Sequence, residues 1–130
     1  MEYECALRVR SYECDIYGHV NNAVYLNYLE YARGEFLKSI EFPYLEAISS
    51  GYGLYVARIA IDYKSPAFPE DELCIRTKAL KKGAVSGVLS QVIVRGETVI
   101  VTAEVTWAFV DSKGTPTRIP KEWDLPGLKA

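Results

Sequence analysis

Between Cys14 and Leu37 the chain reads CDIYGHVNNAVYLNYLEYARGEFL. A carboxylate (Asp15), a glycine (Gly18), the only histidine (His19) and two adjacent amides (Asn21 and Asn22) fall within eight residues, directly before a run with helical spacing. A helix N-terminus points unpaired N–H groups and a partial positive charge at whatever precedes it. A carbonyl that develops negative charge there is stabilised as in an oxyanion hole, and a carboxylate held nearby can act as general base or nucleophile. The pattern therefore points to acyl transfer. Asp15 would be the base or nucleophile, and the Asn22 backbone amide the oxyanion donor. By pattern alone Asp15 reads equally as a turn residue or a partner of the helix dipole. His19 is either a general acid or substrate donor, or a brace for the turn through a backbone carbonyl. Asn21 and Asn22 also suit helix capping. Gly18 permits a positive φ or close approach of a substrate. Cys14 adjoins the acid, but neighbours on a strand face opposite ways, so it is not the expected nucleophile.

The elements that must hold these residues are legible from periodicity. EYECALRVRSYEC reads as a strand and DIYG as the break after it. From Asn22 onward, Tyr25, Leu29, Ala32, Phe36 and Ile40 make one apolar stripe, with Tyr28 and Leu37 beside it. FPYLEAISSGYG closes the helix and adds one short helical piece. Four long strands follow: LYVARIAIDYKS, ELCIRTKALKK, AVSGVLSQVIVR and ETVIVTAEVTWAFVD. In the last, Val99, Val101, Ala103, Val105, Trp107 and Phe109 are expected on one face. PAFPED, KKGA, RGE and DSKG are expected as turns, of hairpin rather than crossover type. The Pro-rich tail TPTRIPKEWDLPGLKA is expected to be irregular.

A strand, one long helix and four antiparallel strands predict an α+β domain in which a curved sheet wraps around the helix. A length of 130 residues fits one domain, expected over residues 1–130. The net charge of −2 and the scattered basic residues argue against a nucleic-acid partner. No apolar run reaches 18 residues, so no membrane span is expected. MEYECALRVR lacks the basic leader and apolar core of a secretory signal. Cys5, Cys14 and Cys74 are odd in number and fit no metal spacing. Reduced thiols in the cytoplasm are the simplest account, and no metal site is expected. Long strands with unpaired edges and apolar faces predict a homodimer or homotetramer joined partly through a strand edge.

The strand followed by D-x-x-G-H-V-N-N and a helix containing Tyr25 and YAR (31–33) resembles the hotdog-fold acyl thioesterases. Most similar is the 4-hydroxybenzoyl-CoA thioesterase-like branch, with bacterial acyl-CoA thioesterases and related plant acyl-carrier-protein thioesterases. The order of elements agrees over roughly residues 3 to 120. The resemblance implies hydrolysis of an acyl-CoA or acyl-carrier-protein thioester to a free acid and thiol. Coenzyme A or phosphopantetheine would enter only as part of the substrate, with no bound cofactor. It places the attacking or water-activating carboxylate on Asp15 and the oxyanion N–H on Asn22, where relatives often carry Tyr or His. The larger plant enzymes have an Asn two residues past the acid; this chain has Tyr17. Tyr17, Gly18, Asn21 and Tyr25 are the expected substrate contacts around these groups. Ser86 falls where relatives carry a polar side chain near the reaction water, although an ordinary strand serine would look the same. Arg58, Lys81 and Lys82 are candidate phosphate contacts or simply a solvated face. Two other functions stay open, a hotdog hydratase or dehydratase and a non-catalytic acyl-binding module.

Overall fold

The stripe from Tyr25 to Phe36 does form one buried face of a helix, α1 (Val24–Ser39), with Tyr25, Tyr28, Leu29, Ala32 and Phe36 all nearly inaccessible. The structure is a computed structural model that describes residues 2–129. Around α1 lie β1 (Glu2–Arg8), a short α2 (Tyr44–Ser49), β2 (Gly53–Tyr63), β3 (Glu72–Lys82), β4 (Ser86–Arg95) and β5 (Thr98–Val110). All pairings are antiparallel, in one five-stranded sheet of order β1-β3-β4-β5-β2. This is the expected α+β arrangement. The helix lies over the β1 and β3 side of the sheet, and β2 is left as an unpaired edge.

Several local expectations are corrected. The first strand stops at Arg8 rather than running to Cys14, because Ser11–Glu13 winds into a 3-10 turn closed by Glu13 N–H to the Arg10 carbonyl at 3.0 Å. The helix begins at Val24, with Ala23 at the N-cap in a helical conformation and no side-chain cap bond, so Asn22 is not the cap. Asn21 acts one step earlier, its Oδ1 accepting the Ala23 N–H at 2.9 Å. In β5, Val101 to Phe109 alternate inward as expected, but Val99 is 38 % exposed and Ile100 is fully buried. The register slips opposite Ile93 and Val94, and that bulge turns Val99 out.

The largest correction concerns PAFPED. It is not a hairpin: β2 pairs with β5 while β3 pairs with β1 and β4, so residues 64–71 cross the end of the sheet. Lys64 and Ser65 donate their N–H groups to the Ile100 carbonyl at 2.8 and 3.2 Å, and Ala67 is buried. This crossover brings one wall of the site to the start of α1. The tail is irregular apart from two 3-10 turns, yet Ile119, Trp123 and Leu128 pack it into the core at the far end of the helix.

Candidate active site

The acid sits in a tight loop. Cys14 and Val20 form an isolated antiparallel bridge, and the loop between them closes through Asp15 N–H to the His19 carbonyl (2.9 Å) and Gly18 N–H to the Asp15 carbonyl (3.0 Å). Gly18 has φ +83°, where a Cβ would strain the backbone. Asp15 Oδ1 accepts the Tyr17 N–H at 2.9 Å, the side-chain turn typical of aspartate. Oδ2 makes no hydrogen bond among the described residues. Asp15 lines a cleft of about 570 Å³ together with Tyr17, His19, Asn22, Tyr25 and the crossover residues 64–66.

The start of α1 lines the same cleft through Asn22 and Tyr25. The Val20 N–H donates to the Ala67 carbonyl at 2.9 Å, and the Ala67 N–H donates to the Tyr25 hydroxyl at 3.3 Å, so loop, crossover and helix are stitched together. Asn21 N–H is taken by the Glu13 carbonyl (3.0 Å), and Val24 N–H by the Asn21 carbonyl (2.9 Å). Between them the Asn22 N–H has no acceptor among the described residues. A carboxylate and an unsatisfied amide at a helix start thus share one cleft, the pair that an acyl-transfer reaction needs.

Glu13 underlies this arrangement and was read only as a strand residue. Its side chain is 9 % exposed and accepts three hydrogen bonds or ion-pair contacts: Arg10 N–H (2.7 Å), the Tyr28 hydroxyl (2.8 Å) and the Arg10 guanidinium (3.1 Å). Burial, reinforced by the Glu13 carboxylate, drives the Tyr28 phenol well above its ordinary range. The thiol of Cys14 is likewise pushed up, by desolvation first and the neighbouring acids second. That is the wrong direction for a nucleophile.

His19 lies on the cleft wall with its ring stacked on Tyr17 (centroids 6.1 Å apart) and edge-on to Phe68 (6.4 Å). Its Nδ1 is 3.9 Å from Asp15 Oδ1, beyond a hydrogen bond, and 3.4 Å from the Val20 carbonyl. Gly18 and Asn21 hold the loop by backbone and side chain rather than by lining the cleft. Ser86, Arg58, Lys81 and Lys82 do not reach it in this chain. Ser86 pairs with Ala108, at the opposite end of β4 and β5 from Ile100, where the crossover docks. Arg58 pairs with Thr106 on the sheet face turned away from α1, and Lys81 pairs with Val88. The Lys82 side chain is 7 % exposed and its Nζ lies 2.8 Å from Asp124 Oδ1, in an ion pair with the tail. The lining cation is Lys64, which sequence reading passed over with Tyr63, Ser65 and Pro66. Only the crossover, a long-range feature, brings them there.

A family model described as Thioesterase-like superfamily matches residues 9–125. The chain is 33% identical over 120 residues to a chloroplastic acyl-acyl carrier protein thioesterase of Arabidopsis thaliana, covering 91% of this chain and 64% of that protein. It therefore spans a little under two thirds of that relative's length. It is 37% identical over 111 residues to the long-chain acyl-CoA thioesterase FadM of Escherichia coli, covering 82% of each. The crystal structure of a probable thioesterase from Bartonella henselae superposes with a TM-score of 0.88 at 28% identity, covering 92% of this chain and 100% of that one.

Proposed function

The chain belongs to the thioesterase-like superfamily, and from that membership we propose that it hydrolyses acyl thioesters of coenzyme A or acyl-carrier protein. The observation that carries this reading is the shared cleft of Asp15 and the unsatisfied Asn22 N–H. In the base route, Asp15 takes a proton from water as the water oxygen bonds to the thioester carbon. The carbonyl electron pair moves onto oxygen, where the Asn22 N–H holds it. Collapse breaks the C–S bond, and the thiolate leaves with the proton from Asp15. In the nucleophile route, Asp15 Oδ2 attacks instead and the C–S bond breaks to expel the thiolate; water then cleaves the mixed anhydride, freeing the acid and the Asp15 carboxylate while its proton goes to the thiolate. Both routes use water alone, with no resident cofactor. His19 and Tyr17 shape the wall beside the acyl carbon, and Lys64 offers a positive charge to the pantetheine or phosphate end. Three unpaired thiols suit a reducing cytoplasm.

We also propose a homodimer through β2. Among the described residues that strand has no second partner, and it carries Tyr55 and Val56 at 59% and 46% exposure, an edge that soluble proteins cover or charge. Light scattering should give twice the chain mass at micromolar concentration; a stable monomer contradicts the assembly.

The test of function is thiol release over a panel of acyl-CoAs and acyl-carrier proteins, with enoyl-CoA hydration followed in parallel. Hydrolysis of the thioester is the expected result. Hydration without thiol release would instead assign a hydratase, and tight binding with neither reaction an acyl-binding module. The single histidine sits in the same turn as Asp15 rather than across the cleft, which speaks against the hydratase.

A further inference from the structure

We infer that Tyr63, at the end of the edge strand β2, is a positioning residue that aims the Asn22 amide; this rests on the reading of that amide as oxyanion donor. The Tyr63 hydroxyl donates to the Asn22 carbonyl at 3.2 Å, across 41 residues of chain. Each peptide unit is a rigid plane with its C=O and N–H antiparallel. The Asn21 carbonyl points toward the Val24 N–H, 2.9 Å away. The Asn22 N–H in the same plane must therefore point the opposite way, out of the helix. The next plane carries the Asn22 carbonyl and the Ala23 N–H. Tyr63 holds its carbonyl end and Asn21 Oδ1 holds its N–H end at 2.9 Å. With both flanking planes pinned, residue 22 has little freedom to swing its amide.

Tyr63 is not explained as a core residue. It is 48 % exposed, lies with its ring centroid 5.7 Å from that of Tyr25, and lines the same cleft as Asp15. The Tyr25 hydroxyl is already engaged by the Ala67 N–H. Of these two tyrosines, Tyr63 is therefore the one whose hydroxyl meets the Asn22 peptide. A preorganised donor loses catalytic power when it can wander, and small misplacements are costly in rate.

The experiment is a double-mutant cycle on thioester hydrolysis. Tyr63→Phe keeps the ring and removes only the hydroxyl. It should lower kcat about tenfold, below the 10²–10³ typical of losing a donor outright, and leave KM within about twofold. In an Asn22→Pro background, where the amide N–H is gone, the same change should cost nothing further. Full additivity of the two losses, or a rise in KM at constant kcat, would mean that Tyr63 acts on the substrate and would overturn the inference. An Asn22→Pro enzyme as active as the parent would overturn the donor reading itself, which separates the two failures. A second measurement does not depend on the proline variant folding. In Tyr63→Phe, the ¹⁵N order parameter of the Asn22 amide should fall while those of residues 28–36 stay unchanged. An unchanged Asn22 amide would refute the clamp.

Discussion

The Glu13 carboxylate and the Tyr28 hydroxyl meet at 2.8 Å beneath the first turns of α1. Glu13 lies two residues before the candidate acid, and its own carbonyl takes the Asn21 N–H. One buried contact thus fixes the acid-bearing loop to the helix that begins just after Asn22. Removing the carboxylate leaves the Arg10 N–H and the Tyr28 hydroxyl without their partner. Glu13→Ala should therefore cost about 3 kcal/mol of stability, the scale for stranding buried donors and a guanidinium. Urea unfolding measures this; a loss under about 0.5 kcal/mol, the usual range for surface changes, would show that the network is slack.

Asp15→Asn retains an acceptor for the Tyr17 N–H and removes the basic lone pairs. Hydrolysis should fall by about 10²–10⁴ with the melting temperature unchanged, the scale for losing a general base. Near-parental turnover in a folded variant excludes Asp15 from the chemistry.

At position 22 the side chain and the amide make separable contributions. Among the described residues the Asn22 side chain makes no cap bond to α1, so Asn22→Ala should cost less than the ~1 kcal/mol of a lost cap. Asn22→Pro deletes an N–H that has no acceptor among the described residues, and proline is tolerated at helix starts. Its catalytic barrier should rise by about 3–4 kcal/mol, the value of one oxyanion donor. Circular dichroism checks folding and kcat reads the effect; equal losses in both folded variants would remove the amide from the mechanism.

Stability should decline on the alkaline side. Burial pushes the Cys5 thiol up to about 11, whereas in the unfolded chain it ionises near ~8.5. Tyr28 is also raised, by burial and then by Glu13, against an unfolded value of ~10. In both cases the unfolded state gives up its proton first, so stability is fully present below the unfolded pKa and is lost as pH rises toward the folded one. The urea midpoint should be level near neutrality, fall from about pH 8.5 through Cys5 together with the raised thiols of Cys14 and Cys74, and fall further above about pH 10 through Tyr28. Cys5→Ala should make the first part shallower. A midpoint constant from pH 7 to 11 would contradict both assignments.

Much of this architecture is written in local pattern. The α1 stripe, the inward alternation from Val101 to Phe109 and the turn around Gly18 each depend on residues a few positions apart, and each was legible. What was not legible depends on partners far along the chain. Glu13 looks like a strand residue until Tyr28 arrives over it, and Lys82 looks like a free cation until the tail delivers Asp124. Lys64 and Tyr63 reach the cleft only because β2 pairs with β5 rather than with β3. A single sequence does not distinguish a hairpin from a crossover when both turns are rich in proline and acid. Asp15 and Asn22 could be singled out together because they are seven residues apart; residues 63–66, which line the same cleft, could not.

The strand order has a kinetic meaning as well. β3, β4 and β5 are joined by short hairpins, while the first two strands in sequence lie at opposite edges. Hairpins close with little loop entropy and form early, whereas distant pairings come late. The acid loop follows one late strand and Tyr63 ends the other, so the cleft is assembled only after the central meander exists. By the same logic it is the first part to open, through a partial unfolding that leaves β3–β5 protected against hydrogen exchange. In mild urea, turnover should therefore disappear before the sheet's circular dichroism changes.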